Sequence, residues 1–204
     1  MHEDSEPLIE ANALVDGPAI TGGFGPGTII RGNEISGEAT QGLSFLGPTT
    51  ALIEANTITD RTSGITTCCA ASGPDFAPII ADNTISGSAT AISVPSGGRP
   101  EIRGNVLTEN GTAILMSASD SAVANNDLRD NVTGISMAGG SPTLEGNTVT
   151  GGTTGIVIGA GTSATLSGNT VCDNEVNMRL VDGADVAGIA DNDICPDEAV
   201  EASE

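Results

Sequence analysis

An asparagine returns nine times along this chain at intervals of 21 to 27 residues, each time inside the same apolar frame. The positions are Asn12, Asn33, Asn56, Asn83, Asn105, Asn126, Asn147, Asn169 and Asn192. Three residues before each stands Ile9, Ile30, Ile53, Ile80, Ile102, Val123, Leu144, Leu166 or Ile189, and two residues after each stands Leu14, Ile35, Ile58, Ile85, Leu107, Leu128, Val149, Val171 or Ile194. A third column follows about nine residues after the asparagine: Ile20, Leu43, Ile65, Ile92, Ile114, Ile135, Ile156 and Met178. Each period thus holds three short strand-like segments separated by Gly, Asn, Asp and Ser. Segments of that length cannot bury a face alone, whereas coil stacked on coil buries all three columns at once. The repeat therefore predicts one all-β domain over 1–204, a parallel β-helix of about nine coils with three strands per coil, its coils spanning about 6–200 between acidic tails. At roughly 4.8 Å between parallel neighbours, such a rod is on the order of 40 Å long.

The asparagine column has a separate cause. An amide both donates and accepts, so identical side chains stacked in a sharp bend can form a ladder along the axis. The residue before it is Gly, Asp or Asn in most coils (Gly32, Asp82, Gly104, Asn125, Gly146, Gly168, Asp191), types that tolerate a left-handed backbone. Asn33, Asn56, Asn83, Asn105, Asn126, Asn147, Asn169 and Asn192 are accordingly expected to form a structural ladder. Hydrophobic residues make up 38%, 28 residues are Gly, and the only aromatics are Phe24, Phe45 and Phe76, so the core must be thin and aliphatic.

Charge limits the partners. The chain carries 27 acidic residues against 6 arginines and no lysine, a formal net charge of -21. Such a surface repels a phosphate backbone and an anionic membrane, so nucleic acid is excluded as a partner. No apolar run approaches the roughly 18 to 20 residues that span a bilayer, so no membrane insertion is expected.

Segments such as Arg103-Gly104-Asn105-Val106-Leu107-Thr108, Glu145-Gly146-Asn147-Thr148-Val149-Thr150 and Ser167-Gly168-Asn169-Thr170-Val171-Cys172, with strands of the type Gly155-Ile156-Val157-Ile158, resemble right-handed parallel β-helix repeats of the carbohydrate-binding and sugar-hydrolase type. The resemblance covers roughly residues 6 to 200. It implies a group that includes pectate lyases, polygalacturonases, alginate epimerases, copper-site maturation proteins, phage tailspikes and non-catalytic surface modules. Lyases and epimerases of that kind usually need a Lys, Arg, His or Tyr base, but this chain has no Lys or Tyr and only His2. The Asn-Thr-Asp, Asp-Asp, Gly-His-Gly and Arg-Ile-Lys signatures of polygalacturonases are absent. The expected function is a non-catalytic, surface-displayed or secreted binding or scaffolding module, with polysaccharide as its partner and a larger surface protein as its setting. The alternatives are a carboxylate-based carbohydrate-active enzyme and, further off, an ice-binding protein. Outward Thr pairs such as Thr57/Thr59 and Thr148/Thr150 suggest the last, although Asp127/Arg129, Glu34 and Asp193 interrupt the rank and exposed strand positions favour Thr in any case.

Candidate ligand-binding residues follow from the stacking. Four positions after the ladder, Asp16, Asp60, Glu109, Asp130 and Asp173 share a turn column with Gly37, Gly87 and Gly151. Glu109 and Asp130 fall on adjacent coils near Asp127, Asn110 and Asn131. That set could hold Ca²⁺, which takes six to eight oxygen ligands, or act as an acid/base pair, or simply face water; no other cofactor is expected. The step into Ile80 takes fifteen residues from Ile65 where others take nine to eleven, so an insertion bulges out at 68–76. Asp75 and Phe76 on it, with Arg99 one coil on, form a second candidate binding group, Phe76 either stacking on a ligand or anchoring the loop. Cys172 and Cys195 occupy equivalent positions on adjacent coils, a placement compatible with a disulfide, and Cys68 with Cys69 could form a vicinal one. Either bond would place the chain outside the cytoplasm, at the cell surface or beyond.

Overall fold

The computed structural model describes residues 7–17, 20–38, 40–46, 50–68, 77–95 and 97–197. Their strands assemble into three parallel sheets of nine, nine and eight strands, and every neighbour in a sheet is the equivalent strand of the adjacent coil. One coil runs Glu101–Arg103, Val106–Thr108 and Thr112–Ser117, contributing to the first, second and third sheet in turn. The described residues include all three strands of eight coils and two strands of a ninth. Among them no helix is long and apolar enough to cross a membrane. Handedness apart, this is the parallel three-strand coil that the repeat predicts.

The columns stack as the period requires. In the first sheet Ile80 pairs with Ile53 and Ile102, and in the second Ile85 pairs with Ile58 and Leu107, all fully buried. Burying each such side chain stabilises the coil by roughly 1.5–3 kcal/mol. The third sheet adds a fourth buried column, in which Val94, Met116, Met137 and Ile158 follow one another. Just before the third column lies a file of small residues (Gly42, Gly64, Ala91, Ala113, Gly134, Gly155). A Cβ on Gly64 would stand 2.6 Å from the carbonyl oxygen of Ala91 and 2.8 Å from Ile85 Cγ2, so main chain passes too close there for a larger side chain.

One column member departs from expectation. Ile189 lies in a 3-10 turn, Ile189–Asp191, and is 40% exposed. The register of the last coil places Val186 opposite Ala164, and Val186 packs against the core in its stead. Gly188 is the cause: its φ of 78° turns the chain out of the strand before Ile189 is reached.

The ladder is continuous. Asn56 donates its backbone N–H and its Nδ2 to Oδ1 of Asn83, at 3.0 and 2.9 Å, and Nδ2 also donates to the carbonyls of Ile30 and Glu54. The pattern repeats from Asn12, bonded to Asn33, up to Asn169, bonded to Asn192. Each amide therefore satisfies main-chain groups of a bend that would otherwise be left buried and unpaired.

Candidate functional site

The acidic turn column sits at the corner between the second and third sheets, and its backbone explains its composition. Asp16, Asp60, Glu109, Asp130 and Asp173 all have φ between 51° and 58°, and the glycines that alternate with them are left-handed too. Left-handed backbone costs most L-residues roughly 1–2 kcal/mol and costs Asp less, because its short polar side chain can bond locally. Acids at these positions thus answer a conformational demand. They also fit one another by shape: Oδ1 of Asp16, Asp60 and Asp130 occupies the space that a Cβ on Gly37, Gly87 and Gly151 would need. At the ladder corner Asp82 sits likewise against Gly104, and Asn125 against Gly146.

This geometry separates the expected calcium ligands. Glu109 and Asp130 are on adjacent coils in register, but Asp130 leans to the following coil, over Gly151 and away from Glu109. Asp127 is engaged elsewhere: Arg129 Nε donates to its Oδ1 at 2.7 Å, and Nη2 bonds Oδ2. That hydrogen bond from the Arg129 guanidinium, only partly offset by burial, holds the Asp127 carboxyl below the usual carboxylate range. Asn110 and Asn131 do not offer their oxygens to a cation. Both are buried, and Oδ1 of Asn131 accepts from the N–H and the Nδ2 of Asn110 while its Nδ2 donates to the carbonyls of Leu107 and Arg129.

These asparagines belong to a second, interrupted amide column, five residues after the ladder. It includes Ser88, Asn110, Asn131 and Asn174, and Asn174 bonds on to Asn177 and through it to Asp197. Arg61 takes the same position in its coil and is 2% exposed. Its Nη1 donates to the carbonyl of Gly17 at 3.0 Å and its Nη2 to that of Ser36, reaching across the two preceding coils, while its Nε has no partner. Aligning the fifth position after each ladder asparagine would have exposed both the column and this buried cation. The corner opens as two shallow grooves, one beside Asp130, Gly151, Gly152, Asp173 and Glu175, the other beside Glu38, Asp60, Arg61 and Gly87.

Arg99 does not join this corner. It lies between the third and first sheets, exposed, 3.8 Å from the Asp120 carboxylate of the next coil. Asp75, Phe76 and Cys69 lie outside the described residues. The two described aromatics supply no stacking platform: Phe45 is fully buried and Phe24 packs edge-on against it with ring centroids 5.1 Å apart. On the second sheet, the rank that runs Thr57, Thr84, Val106, Asp127, Thr148 and Thr170 is interrupted midway by the Asp127–Arg129 ion pair.

At the last two coils, Cys172 and Cys195 are joined in a disulfide with their Cα atoms 4.9 Å apart. An Asp193 carboxylate oxygen and the two sulfurs all lie within 4.8 Å of one another, and among the described residues no other three His, Cys, Asp or Glu side chains converge so closely. Cys172 is buried, Cys195 half-buried and Asp193 exposed.

A family model described as periplasmic copper-binding protein (NosD) matches residues 77–202, more than half of the chain and all of its last six coils, the partial ninth included. The chain belongs to the NosD family. A search of curated proteins returns no match. In this NosD-family chain the matched segment contains the most regular part of the ladder, the groove at Asp130 and Asp173, and the Cys172–Cys195 pair; the Arg61 corner lies before it.

Proposed function

We propose that this chain is a non-catalytic β-helix module of the periplasm or cell exterior, a rigid scaffold that works in copper handling. The family match over 77–202 carries the reading. The disulfide supports an oxidising compartment, since such bonds persist outside the reducing cytosol. The absence of catalysis is supported by the acids of the turn column, Asp16, Asp60, Glu109, Asp130 and Asp173, which stand at positions that a left-handed backbone selects, and by the separation of Glu109, Asp130 and Asp127, which do not converge.

Copper tests the donor set. Cu(I) selects thiolate and thioether sulfur. Met116 and Met137 are buried in the core, Met178 packs against it, and Cys172 and Cys195 are bonded to each other. The described donors therefore fit Cu(I) only as a dithiol, at Cys172 and Cys195 with Asp193 beside them. A carbohydrate ligand is the second reading, supported by the open polar groove along Asp130, Gly151 and Asp173, although no described aromatic stands ready to stack on a sugar ring.

Equilibrium dialysis of the purified chain against copper, in oxidised and in reduced form, together with glycan-array binding and incubation with polyuronates, tests the proposal. Copper retention in at least one form with no turnover is expected. Polyuronate cleavage that disappears in a Glu109→Gln/Asp130→Asn double variant would replace it with the enzyme reading, and glycan binding without copper retention with the carbohydrate one.

A further inference from the structure

The main chain, rather than the sulfur bridge, sets where Cys172 and Cys195 stand. Thr170 pairs with Asp193 and Val171 with Ile194 in parallel register. Cys195 N–H donates to the carbonyl of Val171 at 3.0 Å, and Asn169 is bonded to Asn192 in the ladder at the start of the same two strands. The Cα separation of 4.9 Å is the spacing of neighbouring strands in any sheet. Breaking the sulfur bridge would leave these hydrogen bonds in place, and two thiols would remain side by side on a fixed frame.

From this we infer that reduction of the Cys172–Cys195 disulfide opens a Cu(I) site at the last two coils, with Asp193 beside it, so that copper binding by this chain is switched by redox state. The inference rests on the copper-handling reading above and gives it a location. A metal held by two sulfurs at roughly 2.3 Å each spans a sulfur pair roughly 4.5 Å apart, which rotation of the two side chains can reach. Thiolate donors select soft cations. Zn²⁺ in a closed site wants four ligands, whereas here two sulfurs and one carboxylate converge. Asp193, on a chain of net charge -21, adds negative potential that favours a cation over an anion. Entry is from the side of Cys195 and Asp193, the more exposed members.

The chemistry balances with a dithiol reductant. Its thiolate attacks one sulfur, the Cys172–Cys195 bond breaks, and after resolution the reductant is a disulfide while the two cysteines have gained two electrons and two protons. Cu(I) then displaces those two protons and binds both thiolates.

Anaerobic titration of the full chain with Cu(I) against a chromophoric Cu(I) chelator tests this, with thiolate-to-copper charge-transfer absorption and X-ray absorption as independent readouts. The reduced protein is expected to take up about one Cu(I) per chain with sulfur neighbours, as soft-cation preference requires. The oxidised protein and a Cys172→Ser/Cys195→Ser variant should take up none, and Asp193→Asn should bind more weakly. Equal uptake by oxidised and reduced protein, or by the double serine variant, overturns the gate while leaving copper handling intact; no uptake in either redox state overturns both. If the double variant fails to fold, X-ray absorption on reduced wild-type protein decides, and a copper site without sulfur neighbours overturns the assignment.

Discussion

Two corners of the same coil obey different rules. The corner between the first and second sheets carries an asparagine in every coil, each bonded to the next from Asn12 to Asn192. Five residues later, the next corner carries Gly17, Glu38, Arg61, Ser88, Asn110, Asn131, Gly152, Asn174 and Asp197. One unbroken amide stack is enough to hold the coils in register. The second bend can therefore exchange its amides for glycine, serine or a guanidinium, and it is there that both described grooves open.

The sharpest way to break this contrast is within the first stack. Asn105→Ala removes the acceptor of Asn83 N–H and Nδ2 and the donor to the carbonyls of Ile80 and Arg103. Unsatisfied buried groups cost about 1–3 kcal/mol each, so a loss on the order of 3–5 kcal/mol is expected; a change under 1 kcal/mol in chemical denaturation would refute the primacy of the ladder. Next is Cys172→Ser/Cys195→Ser, whose bridge spans 23 residues. Chain entropy assigns such a closure about 3 kcal/mol. Because main-chain pairing joins each coil only to its neighbours, hydrogen exchange should rise in the last two coils and leave Ile53 and Ile80 protected.

Arg61→Met sharpens the comparison at the second corner. It leaves the carbonyl of Gly17 without its guanidinium donor and removes one of the two donors to that of Ser36, which keeps the Asp16 N–H, at a cost of about 1–3 kcal/mol, and faster amide exchange should be confined to the first three coils. Glu109→Gly should move stability the other way, by up to about 1 kcal/mol, since it relieves a left-handed glutamate at φ 58°; a melt that falls instead would assign Glu109 contacts of its own.

The smallest effect is electrostatic. The Asp127 carboxyl titrates lower in the folded chain than in the unfolded one. Its contribution is present above the unfolded carboxylate value of about 3.9 and is lost as pH falls through the lower folded value. The pair is solvent-exposed and screened, so Arg129→Ser should change stability by a few tenths of a kcal/mol at most. The Asp127 carboxyl resonance, followed by NMR titration, should move back up toward its ordinary midpoint.

What could be read in advance was whatever every coil repeats. The three aliphatic columns and Asn33 through Asn192 were legible because stacking imposes the same demand on each turn. Ile189 was misread because Gly188 changes the backbone just before it, a local event that a period cannot carry. The burial of Asn110 and Asn131 was not legible, because Glu38, Arg61 and Gly152 interrupt their column and hide its buried character. For the acids at Asp60, Glu109 and Asp130 residue type left calcium, acid/base work and plain solvation all open, and the positive φ they share was added by the backbone in three dimensions.

The nesting of Asp16, Asp60, Asp82, Asn125 and Asp130 against Gly37, Gly87, Gly104, Gly146 and Gly151 gives the stack a grammar. A turn whose acid leans forward can be succeeded only by one that leaves the hollow vacant. Modules cut from this rod and shuffled would therefore clash unless donor and recipient turns were matched at that position, so near-identical repeats here are not interchangeable parts.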